Sequence, residues 1–143
     1  MSEVQYTLSE GTLTLPEAAQ DRSITMLSLP AARASLVVTR AWDVKPGEEE
    51  AYLKNQLAKV KRDRKKFSGG EPEETQVGGQ PAREVALRFE NQRVTVYEKL
   101  AVTMLPDHLL VITMSRTAPF DDDAQAMWNA IKAGVNFTAG EGA

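Results

Sequence analysis

Between Gln80 and Arg116 the chain carries three strand-like runs joined by links too short for a crossover. Gln80 to Glu90 presents Ala82, Val85, Leu87 and Phe89, and Asn91-Gln92 turns the chain. Arg93 to Met104 runs back, Pro106-Asp107 turns it again, and His108 to Arg116 (H-L-L-V-I-T-M-S-R) returns. Parallel neighbours need a connection of about a dozen residues, so these runs predict an antiparallel β-meander. Whatever else the chain builds must attach to this sheet. Just upstream, Glu71 to Val77 reads as a further strand, set off by the turn signal Gly78-Gly79.

The first third is also strand-rich. Tyr6 to Leu8 and Thr12 to Leu15 flank Ser9-Glu10-Gly11 as a short hairpin. Ser23 to Leu29 places Ile24 and Met26 on one face and Thr25, Leu27 and Leu29 on the other, and Pro30 closes it. Ser35 to Trp42 is again apolar on both faces. Strands of this kind are covered on both sides or line something apolar.

Two helices complete the pattern. Pro46 to Phe67 reads as one long helix, with Pro46 in the first turn, where its missing N–H costs nothing. Glu48, Glu49 and Glu50 face the positive end of its dipole, and Lys61, Arg62, Arg64, Lys65 and Lys66 the negative end. Gly69-Gly70 supplies the stop. Leu53, Leu57 and Val60 form an apolar stripe, and Gln56 lies on a mixed shoulder beside it. Near the C-terminus Asp121 is placed to cap a helix whose stripe is Ala124, Met127, Trp128, Ile131 and Val135. The tail from Thr138 to Ala143 is expected to fray.

Strands, helix, meander, helix: this order predicts an α+β fold, a twisted antiparallel sheet with a long central helix and a C-terminal helix packed on it. With no internal repeat and no long linker, the 143 residues read as a single domain, 1–143. A net charge of -3 makes no general case for nucleic acid or an anionic membrane. The lack of cysteine excludes disulfides and thiolate chemistry. No secretory signal opens the sequence, and no apolar run approaches the ~20 residues of a membrane helix. A cytoplasmic protein without stable membrane insertion is expected.

Catalytic chemistry finds little footing. His108 is the single histidine and reads as an exposed turn residue, so no Ser-His-Asp triad can be assembled. Glu48 to Glu50 and Asp121 to Asp123 sit at helix starts, where acids complement the dipole. Neither run can chelate an ion from within a helix, because consecutive side chains point apart. No enzyme, no metal and no cofactor are expected. The basic run from Lys59 to Lys66 reads as a solvated helix end. The doubly apolar early strands, beside a shoulder carrying Gln56, fit a covered sheet or a curved apolar groove with one amide.

Several stretches carry a family resemblance. These are T-L-T-L-P (Thr12 to Pro16), D-R-S-I-T-M-L-S-L-P (Asp21 to Pro30), S-L-V-V-T-R (Ser35 to Arg40) and Y-L-K-N-Q-L (Tyr52 to Leu57). L-L-V-I-T-M-S-R-T-A-P (Leu109 to Pro119) and the Trp128 helix complete them. Together they resemble the DcrB-like family and, within it, the Eag-type adaptor chaperones of bacterial type VI secretion. The resemblance implies a fold like that of Mog1 and PsbP. It further implies a cytoplasmic homodimer that binds the transmembrane helices of a secreted toxin effector and helps load it onto the secretion spike. The groove residues it implies are Ile24, Met26 and Val37 on the strands, and Gln56 and Val60 on the helix, with Glu98 as a polar counterpart in the meander. Arg64 stands where related sequences carry a further apolar residue. A Mog1-like module that binds a soluble partner is the alternative expectation.

Overall fold

A computed structural model describes residues 4–137. Thr138 to Ala143, expected to fray, lie outside the described residues. A two-stranded hairpin, β1 (Val4–Leu8) and β2 (Gly11–Leu15), stands apart from the main sheet. The main sheet has seven strands. They are β3 (Thr25–Leu29), β4 (Ala34–Ala41), β5 (Lys65–Gly69), β6 (Glu73–Val77), β7 (Gln80–Asn91), β8 (Val94–Met104) and β9 (Leu109–Arg116). Their spatial order is β3-β4-β9-β8-β7-β5, with β6 also paired to β7, and every pairing is antiparallel. The meander β7-β8-β9 forms the centre, as its short links require. The early pair β3-β4 adds to the far side of β9, and β3 is left as an edge.

Helices cover the two faces. Helix α2 (Asp122–Ala133) begins where the Asp121 carboxylate accepts the Ala124 N–H at 2.8 Å. It drives Trp128, fully buried, into a core with Leu36, Ala101, Ile112 and Met114. Helix α1 (Glu49–Asp63) buries Leu53 against Val85, Leu87, Val102 and Val111 on the opposite face. The alternating residues of each central strand thus feed two separate cores.

The long helix is shorter than its sequence suggests. It starts at Glu49 rather than Pro46 and ends at Asp63, not at Gly69-Gly70. Arg64 already has extended backbone, and Lys65–Gly69 forms strand β5 against β7. Lys66 takes a left-handed conformation (φ 53°) beside a register shift between Lys65 and Ser68. The run K-R-D-R-K-K has high helix propensity, but strand pairing wins over propensity here. Likewise, β3 begins at Thr25, so Ile24 precedes the strand.

Two positively charged anchors tie the C-terminal part to the sheet. Lys132, 7% exposed, donates to the Thr75 hydroxyl at 3.0 Å and pairs with the Glu84 carboxylate. Arg116 donates to the Ala32 carbonyl at 3.1 Å and to the Pro119 carbonyl, fixing the entry to α2. Burial alone would raise the Glu84 carboxyl, but the hydrogen bond and charge of Lys132, with the Trp128 N–H, hold it below its ordinary value. His108 is not the exposed turn residue expected. Its side chain is 15% exposed, stacked on Trp42 at 3.9 Å, with Nδ1 2.7 Å from the Asp107 carboxylate. The indole accounts for the difference, because a flat apolar ring beside the turn gives the imidazole a surface to cover.

Candidate functional site

On the α1 side of the sheet the covering is incomplete. α1 packs over the centre of the sheet and the β5 end of the strand order, while β3 and β4 lie at the other end. The residues of β3 and β4 that face the α1 side therefore have little above them. Met26 is 74% exposed and Ile24 64%. Across the register Met26 opposes Val37, Val37 opposes Thr113, and Thr113 opposes Leu100. Val37, Thr113 and Leu100 are half-buried. An apolar floor thus rises from an exposed edge strand toward the helix.

Of the expected groove residues, Met26 and Val37 are register partners on this floor, and Ile24 is exposed just before β3 begins. Gln56 and Val60 are half-buried on α1, beside the buried Leu53 and the half-buried Leu57. Leu57 of α1 and Leu100 of β8 both pack against the core that Leu53 anchors. Arg64 does not extend the apolar stripe. It forms the C-cap of α1, and its guanidinium lies 5.5 Å from the centre of the Phe89 ring.

Next to the apolar row runs a polar one that sequence reasoning missed. Ser28 opposes Ser35, Ser35 opposes Ser115, and Ser115 opposes Glu98. All four lie two residues along their strands from the apolar row and hence on the same face. The Ser115 hydroxyl donates to the Glu98 carboxylate at 2.8 Å. Burial pushes the Glu98 carboxyl up, and the Ser115 hydrogen bond and the nearby Arg64 charge offset this only in part. A shallow depression of about 380 Å³ opens at the same row, lined in part by Ser28, Ser35, Val96 and Ser115. The serines were visible in T-M-L-S-L, A-S-L-V-V and T-M-S-R. Their alignment was not, because it depends on how three distant strands pair.

The arrangement offers an apolar strip, a parallel strip of hydroxyls, one half-buried carboxyl and one amide. It suits the binding of a largely apolar segment with occasional polar groups. The edge of β3 is unpaired and uncharged, with Leu27 on its other face 49% exposed. An apolar edge without charged side chains lacks one of the common guards against pairing with a partner. Among the described residues no three His, Asp or Glu side chains are grouped to hold a metal ion. Nor is any described helix long and apolar enough to cross a membrane.

Comparison with known proteins places this geometry in a family. The DcrB family matches residues 10–134, and the chain belongs to that family. Two solved structures share the fold. PA94 from Pseudomonas aeruginosa, a protein of unknown function, superimposes with a TM-score of 0.74 at 20% identity, over 93% of this chain and 95% of that one. The PsbP protein of the cyanobacterium Synechocystis, CyanoP, gives a TM-score of 0.50 at 10% identity, over 91% and 89% of the two chains. The α+β class and the PsbP-like fold expected from sequence are the observed ones. Among curated proteins no sequence matches.

Proposed function

We propose that this chain is an adaptor chaperone of the type VI secretion system. It binds the N-terminal transmembrane helices of a toxin effector in the cytoplasm, shields them from water, and helps load the effector onto the spike. In this reading it acts as a homodimer and catalyses no reaction. The observation that carries the reading is the pair Ile24 and Met26, large apolar side chains exposed by 64% and 74% beside the half-buried Val37. Completing the burial of each would contribute about 1–2 kcal/mol. Met26 adapts to guests of different shape because its thioether chain is flexible.

The polar elements give register. Gln56 can both donate and accept, at a net gain of about 1 kcal/mol for one well-made bond. Small serines beside the apolar strip let a guest backbone approach closely, which suits membrane helices that carry small residues at regular spacing. A dimer would present two such strips to a helical pair and would cover the β3 edges.

Co-expression with the N-terminal transmembrane fragment of an effector encoded nearby, followed by purification without detergent, tests the reading. A soluble complex is expected, and Ile24→Asp or Gln56→Leu should abolish it while the protein stays folded. A well-folded protein that captures no such fragment, yet binds a soluble partner through its charged surfaces, would establish the Mog1-like alternative instead.

A further inference from the structure

The far end of α1 holds a second surface, unrelated to the apolar strip. Lys59 and Lys61 on α1, Lys65 on β5 and Arg93 in the β7-β8 turn are all exposed. None of the four makes an ion pair among the described residues. The carboxylates nearby are already engaged, the exposed Asp63 with Arg62 at 3.0 Å and the half-buried Glu90 with Lys66 at 3.4 Å. A depression of about 330 Å³ between the end of α1 and the turn is lined by Arg64, Lys65 and Arg93, with Asn91, Gln92 and the two ion-paired carboxylates Asp63 and Glu90. This is a concentration of unneutralised positive charge on a chain whose net charge is -3.

Backbone strain coincides with it. Among the described residues four non-glycine residues have positive φ, and three of them, Lys66 (53°), Gln92 (52°) and Arg93 (68°), lie at this corner. Gln92 and Arg93 are the two central residues of a hairpin turn between the paired Asn91 and Val94. Both need the left-handed conformation, for which Asn-Gly is the favoured pair. A glutamine and an arginine there are strained, and strain retained in a fold is a pointer to function. The strained positions display a lysine and an arginine outward.

We propose that this basic corner is a docking surface for an acidic polypeptide segment. Charge complementarity selects the partner's sign. Nucleic acid is disfavoured because no exposed aromatic ring interleaves the cations, Phe67 being half-buried and Phe89 buried. The twenty carboxylates of the chain would also repel a long polyanion extending beyond the corner, whereas a short acidic segment stays within a Debye length of it.

The test is fluorescence anisotropy with a labelled peptide of alternating Asp and Ser. Binding should weaken steeply as salt rises, and the triple variant K61E/K65E/R93E should lose about tenfold or more in affinity. The control variant R22E/R33E/K45E changes net charge equally at exposed sites elsewhere and should bind nearly as well as the parent. Arg93→Gly separates turn from surface: relief of the left-handed strain should raise the melting temperature while peptide binding weakens. No peptide binding, an equal loss in the control, or an Arg93→Gly variant that binds as tightly as the parent would overturn the proposal. Tighter binding of a single-stranded oligonucleotide or of phosphatidylserine vesicles than of the peptide would overturn the partner class.

Discussion

Replacing Met26 by Asp separates a docking residue from a core residue. The side chain is 74% exposed, so about a quarter of its apolar surface contributes to folding. Full burial of such a side chain is worth about 1.5–3 kcal/mol, which leaves roughly 0.5 kcal/mol to lose. Aspartate disfavours strands by up to about 1 kcal/mol more. At about 2–4 °C per kcal/mol for a chain of this size, the melting temperature should fall by no more than about 6 °C. The effect on a bound apolar helix is larger. The variant forfeits most of the roughly 1–2 kcal/mol that guest burial would supply, and it asks an unpaired carboxylate to leave water. A combined loss of at least about 3 kcal/mol, or about 100-fold in affinity, is expected. The assay pairs thermal unfolding by circular dichroism with anisotropy of a labelled transmembrane peptide, and Met26→Leu should be nearly silent in both. A fall of 10 °C or more with Met26→Asp would mean that the residue supports the fold. Retained peptide affinity would mean that the guest sits elsewhere. Either result refutes the reasoning.

Two further predictions concern buried charge. Lys132→Met should cost about 2–3 kcal/mol in urea unfolding, because it strands the Glu84 carboxylate at 17% exposure, and adding Glu84→Leu should recover most of the loss. The Glu84 carboxyl lies below its ordinary value of 4.5 when folded, so its stabilising contribution is complete above that pH and disappears as pH falls through the lower folded value. In Glu84→Leu/Lys132→Met that acid-side decline should shrink. Glu98 has the opposite sign. Its carboxyl is raised in the fold, so whatever stability it lends is present below the unfolded value and lost as pH rises through the folded one. Glu98→Gln should therefore raise the melting temperature at pH 7 and change little at acid pH, and a lower melting temperature at pH 7 would show the carboxylate to be stabilising.

What could be read from sequence follows a physical divide. The meander was legible because alternation and short links are local, and α2 because Asp121 and the Trp128 stripe are local too. The end of α1 was misplaced because nothing within K-R-D-R-K-K records that β7 lies alongside to pair with it. The apolar character of Ile24, Met26 and Val37 was plain, but whether a helix covers them depends on where α1 lands. It lands over the centre of the sheet and its β5 end, leaving the early strands open. The serine row was hidden for the same reason: β4 pairs with β9, more than seventy residues later, and only that register aligns Ser35 with Ser115.

Photocrosslinking places the guest most directly. With benzoylphenylalanine at position 26, and in a second sample at position 129 on the exposed side of α2, the complex with a transmembrane fragment is irradiated and the adducts are mapped. The account predicts a guest adduct from position 26 and none from position 129. Adducts from position 129 alone, or from neither position in a complex known to have formed, would contradict it.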